Sequence, residues 1–216
     1  MTPAQIATAA REEYNSIGDT FFSDASIYNL ITKGCNEFAQ RAFLIESVDT
    51  STTTTAGTET YNFPTYAQTI KRVEYNGVKL DPIDFKEKDV VTLYPATTTT
   101  GTPRFYSQWN RQLYLNPIPG TSSVTIKIYY YGTPAIIDDA TDTIEIPLIF
   151  HWNLVDYVLM NMVAKDENTK MLNFYKARWD EAITYAVQWK AKQKRTDGPA
   201  QVKDEDVMRR TVLGAR

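Results

Sequence analysis

The chain has 216 residues and a net charge of −3; with 43% hydrophobic and 23% charged residues it has the balance of a globular protein with one good core or two small ones. No apolar run approaches the roughly 18 residues of a membrane helix, and the N-terminal MTPAQIATAAREEYN lacks the basic and apolar regions of a secretion signal, so the expected setting is a cytoplasm or something assembled there. Cys35 and His151 are the single cysteine and histidine, which excludes an intrachain disulfide and argues against cysteine-based zinc, Ser-His-Asp, Cys-His and His-rich metal chemistry.

Residues 3–17 predict a first helix. Thr2 is its N-cap, Pro3 suits the first turn, Ile6, Ala10, Tyr14 and Ile17 share a face, and Gly18 ends it. Residues 25–46 predict a second, capped by Ser23 or Asp24, with Ile27, Leu30, Ile31, Cys35, Phe38, Ala42 and Ile45 in one stripe. Cys35 falls inside that stripe and reads as a small core residue. Glu37 and Arg41 stand at i, i+4 on another face.

The character then changes. DTSTTTTAGTET has little to bury and reads as a mobile loop or hairpin tip. Ile70, Val73 and Tyr75 lead into Asn76-Gly77, a strong hairpin signal, which Val78 and Leu80 leave. One or two helical turns are expected from Asp81-Pro82, followed by a second threonine run, PATTTTGTP. RFYSQWN reads as a strand turned by Asn110-Arg111 into QLYL. In QLYLNPIPGTSSVTIKIYY two alternating runs flank a turn set by Pro117, Pro119 and Gly120, so a hairpin is expected; Val124, Ile126 and Ile128 face one way, and Thr125, Lys127 and Tyr129 the other. TDTIEIP reads as a last short strand.

Helix returns at Pro147. Leu148, Trp152, Val155, Leu159, Met162 and Val163 form a stripe; after a break at Asn168 or Thr169, Met171, Tyr175, Arg178, Ala182, Tyr185, Ala186 and Trp189 continue at helical spacing to about Arg195. Gly198-Pro199 closes the helix. The predicted fold class is α+β: a four-helix bundle of two N-terminal and two C-terminal helices, an inserted antiparallel β-lobe and an extended C-terminal arm. The expected division is 1–47 for the first helical hairpin, 48–146 for the lobe, 147–196 for the second hairpin and 197–216 for the arm.

The phosphate-loop, dinucleotide, zinc-protease and nucleophile-elbow motifs do not occur. Asp138-Asp139 and Glu87 with Asp89 read as solvated charge, since no apolar pocket is predicted around them. His151 is expected on a helix surface or at an interface rather than as a ligand. KAKQKR supplies a candidate basic contact patch, Lys190, Lys192, Lys194 and Arg195. It either meets phosphates or an acidic partner or complements the helix C-terminal dipole in water. Residues 190–216 carry a net +4 and residues 1–189 a net −7, as suits an acidic body that docks by its basic end. Val207, Met208, Val212 and Leu213, with Arg209 and Arg210 between them, are too few to form a core and too apolar for a bare tail; they read as a docking arm that orders on a partner.

The order of these parts resembles the head-to-tail adaptor proteins of tailed bacteriophages. LYLNPIPG followed by IYYYGTPA is similar to that family's strand, proline-rich turn and Y-x-G-x-P strand. IEIPLIFHWNLVDYVLMNMVAKDEN is similar to the opening of its third helix, and TETYNFPTYAQTIKRVEYNGVKL to its Y-x-L-P segment, with Phe63 where leucine is commoner. The resemblance implies a structural virion protein without catalysis, cofactor or metal. It implies a ring of identical subunits, usually twelve, in the neck beneath the portal protein, assembled in the host cytoplasm. The C-terminal arm would reach the portal, and the β-lobe would face tail, nozzle or fibre proteins. Genomic DNA would pass through the acidic channel without sequence-specific binding, and no membrane is involved. A tail-fibre or receptor-binding module is the alternative, and a neck-associated cell-wall hydrolase a more distant one.

Overall fold

The computed structural model describes residues 1–15, 21–87, 100–165 and 167–196, with the backbone alone for 194–196. Helices α1 (Pro3–Glu13) and α2 (Asp24–Ala42) come first, and α3 (His151–Lys165) and α4 (Thr169–Thr196) last. Strands β1 (Glu46–Asp49), β2 (Thr60–Asn62), β3 (Ala67–Tyr75), β4 (Val78–Lys79), β5 (Asp81–Pro82), β6 (Thr100–Gly101), β7 (Phe105–Trp109), β8 (Gln112–Asn116), β9 (Ile118–Pro119) and β10 (Ile126–Gly132) lie between them. The chain is thus α+β, with helices at both ends and sheets between.

The helix starts follow their caps. The Thr2 hydroxyl accepts the Gln5 N–H at 3.3 Å while Gln5 Oε1 accepts the Thr2 N–H at 2.9 Å, a full capping box. Ser23 accepts from Ser26 N–H at 3.3 Å, and Asn168 Oδ1 from Met171 N–H at 3.3 Å. The helix ends depart from expectation. α1 stops at Glu13, and the expected Ile17 and Gly18 lie outside the described residues. α2 stops at Ala42 because Phe43 turns left-handed (φ 52°). Leu44 and Ile45 are therefore buried from an extended segment, not from the helix.

The four helices share one core. α3 packs on each of the other three, with Leu154, Val158, Leu159 and Met162 fully enclosed. Phe38 of α2 lies 5.3 Å from Phe150 and 4.7 Å from Trp179 of α4, ring centre to ring centre; each such buried ring contributes about 1.5–3 kcal/mol. α2 meets α3 closely at Gly34, where a Cβ would stand 2.9 Å from Leu154 Cδ2. Ile144 and Ile146 alternate as a strand would, yet TDTIEIP is not a strand: both side chains enter the helical core from an irregular segment. The expected stripe on α3 also shifts. Leu148 and Trp152 point to solvent, and Leu154 and Val158 take the core positions.

The lobe has its own core between two four-stranded sheets, ordered β1-β10-β3-β4 and β2-β8-β7-β5. Val73, Ile126 and Ile128 face Tyr106, Leu113 and Leu115 within it. Asn76 and Gly77 (φ 49° and 77°) turn β3 into β4, and Asn110 and Arg111 (φ 48° and 58°) turn β7 into β8, as the sequence predicts. The expected hairpin between QLYL and VTIKIYY does not form. β8 pairs with β7 and β2, and β10 with β1 and β3, so the proline-rich turn passes the chain from one sheet to the other. Nor is the lobe purely antiparallel: β5 runs parallel to β7, and β9 (Ile118–Pro119) parallel to β6. Asp81-Pro82 is strand rather than helix, and a single 3₁₀ turn, Phe85–Glu87, follows. The rest of the expected helical turns and most of the second threonine run lie outside the described residues.

The first threonine run is tied to the lobe by backbone pairing with residues 121–126, with Thr54 its one buried member. Thr53 bridges Thr125. Thr54 is buried, donating its hydroxyl to Thr121 O at 2.8 Å and accepting the Val124 N–H at 3.1 Å. Threonine is a good strand residue, and the buried hydroxyl of Thr54 finds backbone partners on both counts.

Candidate interaction surfaces

The helical part and the lobe meet where α2 feeds β1 and where β10 ends. The Gly132 N–H donates to Ile45 O at 3.0 Å. Phe43 packs on Tyr131 with ring centres 5.0 Å apart. Two cations approach the Tyr131 ring, Lys71 Nζ at 4.8 Å and Lys190 Nζ at 5.8 Å from its centre. Lys190 reaches down from α4 to bond Glu46 of β1 at 2.8 Å, its side chain 10% exposed.

Two further polar clusters fasten the helices to one another, and His151 ties the N-terminus to the start of α3. The Glu37 carboxylate accepts Tyr157 Oη at 3.1 Å and Trp179 Nε1 at 2.9 Å, with Arg41 at 3.7 Å, joining α2, α3 and α4. Burial first, then the neighbouring Glu37 charge, pushes the Tyr157 phenol up to about 12. Asp156 pairs with Arg178 Nη2 at 3.1 Å; Arg178 Nη1 also stands 3.9 Å from Glu13, which accepts Tyr175 Oη at 3.1 Å. Burial raises Asp156 to about 6, Arg178 opposing and Glu13 adding to the rise. His151 is buried rather than on a surface. Ile146 O can only accept, so Nε2 carries the proton and donates at 2.9 Å, leaving Nδ1 to accept from the Met1 amino group at 2.9 Å. Burial lowers its pKa and favours that neutral form. Cys35 is fully buried, its thiol pushed up to about 12 by burial.

Other apolar groups are left to solvent. Leu148, Ile149 and Trp152 form an exposed face at the start of α3, next to exposed Tyr185 of α4, whose ring centre lies 6.0 Å from that of Phe150. A cleft of about 270 Å³ beside it is lined by Asn153, Asp156, Arg178, Glu181, Ala182 and Tyr185. A second cleft, of about 470 Å³, opens between α2 and α3 and holds Lys33 and Lys165. On the lobe, Phe85 stacks on exposed Trp109 at 5.3 Å and 14°, flanking a cleft of about 330 Å³. Among the described residues no three His, Cys, Asp or Glu side chains form a metal-binding group, and no helix is long and apolar enough to cross a membrane. Asp138, Asp139 and Glu87 are exposed; Asp89 lies outside the described residues.

Two side chains of the sequence-predicted patch are described. Lys190 is committed to the junction, and Lys192 lies on the exposed side of α4. The side chains of Lys194 and Arg195, and all of Val207, Met208, Arg209, Arg210, Val212 and Leu213, lie outside the described residues. The exposed Trp152 and Tyr185 were missed as surface residues because their helical spacing matches a core stripe. Only their place at the edge of the α3–α4 contact tells them apart.

Buried polar groups that tie helices together, and aromatic faces turned to solvent, describe a scaffold made for contact with other proteins. The sequence matches the SU10 adaptor protein family over residues 1–203, and the chain belongs to that family of phage head-to-tail adaptors. Its role is that of a structural adaptor, a virion component that meets other head and tail proteins. The match takes in all four helices and every described strand but stops short of Val207–Leu213. No curated protein matches the chain.

Proposed function

We propose that the protein forms a ring, of twelve subunits by the adaptor resemblance, between the portal and the tail in the virion neck, continuing the DNA channel and catalysing nothing. The observation that carries this reading is the family match through both helical ends and the inserted lobe together. The charge distribution supports it. A body of net −7 over residues 1–189 gives DNA few phosphate contacts, so the duplex can slide without binding. The division at 1–47, 48–146, 147–196 and 197–216 follows from the same reading: a helical body, a lobe toward tail, nozzle or fibre proteins, and a portal-docking arm.

Because Lys190 is spent on the junction, portal docking falls to the residues beyond it. Four apolar side chains contribute roughly 1.5–3 kcal/mol each when buried, while ordering some fifteen residues opposes this by about 1–2 kcal/mol apiece. Arg209 and Arg210, backbone pairing and repetition around the ring must supply the difference. The test is to mix the protein with its cognate portal and image the product by electron microscopy, with and without residues 197–216. The full chain should decorate the portal and the truncated chain should not. Full decoration by the truncated chain would remove the arm from the account.

A further inference from the structure

The two clefts along α3 differ in sign. The α3–α4 cleft is acidic: Asp156 and Glu13 share Arg178, and Glu181 has no ion-pair partner among the described residues. Exposed Tyr185 lines it, and exposed Trp152 stands on α3 beside Asn153 and one turn before Asp156. The α2–α3 cleft is basic: Lys33 and Lys165 line it with Ser26, Asn29 and Asn161, and no carboxylate among the described residues does. Its rim is apolar too, with Lys165 Nζ 5.0 Å from the Phe22 ring centre and 5.7 Å from that of Phe21, which is 67% exposed.

Their places on the helix fix how two copies could use them. Trp152, Asn153 and Asp156 mark one cleft; Asn161, Ala164 and Lys165 mark the other. The two sets are centred about 15 Å apart along α3 and roughly 125° apart around it. Patches that are complementary but do not overlap join head to tail and leave each copy with one of each still open; a two-fold contact would need a patch that complements itself. Exposed aromatic groups beside both clefts add apolar area of the kind enriched at protein interfaces, while the charges set the pairing and its orientation.

We propose that the acidic α3–α4 cleft of one copy receives the basic α2–α3 cleft of a second copy, with Glu181 facing Lys33 and Lys165, and Trp152 and Tyr185 packing near Phe21 and Leu30. This rests on the ring reading and names the surfaces that close the ring. Charge reversal tests it in the full chain. Lys33 and Glu181 are both exposed, so Lys33→Glu and Glu181→Lys should leave the fold intact, checked by circular dichroism. Each should weaken self-association, read by sedimentation at low salt, by about tenfold or more, and the chain carrying both should recover to within about threefold of the parent. Cross-linking gives an independent reading, because native Cys35 is fully buried and does not compete. A mixture of Lys33→Cys and Glu181→Cys chains should form a disulfide-linked pair that neither forms alone. Undiminished association of the single reversals, a doubly reversed chain as weak as the sum of its parts, or no mixed disulfide would overturn the pairing. Rings formed on the portal by singly reversed chains at full occupancy would overturn this interface and leave the adaptor reading standing. Parent protein that forms no ring on its portal would overturn the adaptor reading instead, while the cross-link in free protein still reports on the two clefts.

Discussion

Glu46→Ala should destabilise the protein more than Lys190→Met, although the two residues form a single ion pair. The pair is lopsided: the Lys190 side chain is 10% exposed and that of Glu46 59%. Removing Glu46 leaves a nearly buried lysine whose ammonium stands 5.8 Å from the centre of the Tyr131 ring. An unpaired buried charge is destabilising by about 3–5 kcal/mol when fully enclosed; screening at the exposed end and the ability of the lysine stem to reach outward reduce this to about 1.5–3 kcal/mol. Removing Lys190 instead returns the Glu46 carboxylate to water at little loss. Methionine keeps an apolar stem over Tyr131, so only the cation–π attraction of about 0.5–1 kcal/mol is lost. The double variant should match Lys190→Met alone. Denaturant unfolding of the full chain reads the order directly from the midpoints, provided the slope m is unchanged. In thermal melts each kcal/mol should appear as roughly 2–4 °C. Equal losses from the two single variants, or a larger loss from Lys190→Met, would refute the argument that Lys190 is a clamp and return it to the basic contact patch.

Gly34→Val should destabilise by about 2 kcal/mol or more, because even a Cβ there meets Leu154 at 2.9 Å and the Tyr157 ring at 3.1 Å; a melting temperature at or above the parent's would contradict the close approach of α2 and α3. Deleting Ser51–Thr55 should lower stability as much as a core substitution, about 2–5 kcal/mol, since the run pairs with residues 121–126; an unchanged unfolding midpoint would show it to be dispensable. Asp156 binds its proton more tightly folded (about 6 against 3.8), so its contribution to stability falls as pH rises from about 4 to about 6. His151, lowered below 6.5, acts oppositely, and its contribution is lost as pH falls from about 6.5 through its lowered folded value. Asp156→Asn and His151→Gln should each flatten their own limb of the melting temperature against pH, and a profile that neither changes would refute both assignments.

What the sequence made legible was local. Thr2, Ser23 and Asn168 announce helix starts because a cap needs only its own next turn. Asn76-Gly77 and Asn110-Arg111 announce turns because few residue pairs accept two positive φ values. The alternation of Ile126 and Ile128 likewise tells which face is buried. What remained illegible depended on partners distant in the chain. RFYSQ announces itself as one neighbour of QLYL through the Asn110-Arg111 turn, but nothing near QLYL says that TYN, rather than VTIKIYY, will be the other. Ile144 and Ile146 alternate, but their partners are helices. The run of threonines is polar by composition, and Thr54 becomes interior only because residues 121–126 offer it backbone partners. Glu37 reads as half of an i, i+4 pair with Arg41, while its closer partners, Tyr157 and Trp179, are more than a hundred residues away. Of the contact surfaces, the basic run was visible as charge, but only folding could sequester Lys190 and leave Trp152 in water.

The most direct measurement of the central claim is electron microscopy of the purified protein alone and after mixing with its cognate portal. The account predicts little ring on its own, since the helices enclose their own core, and on the portal a closed ring with an open axial channel, the β-lobes carried away from the portal face. A stable trimer that forms without portal, or portals that stay bare at saturating protein, would contradict it.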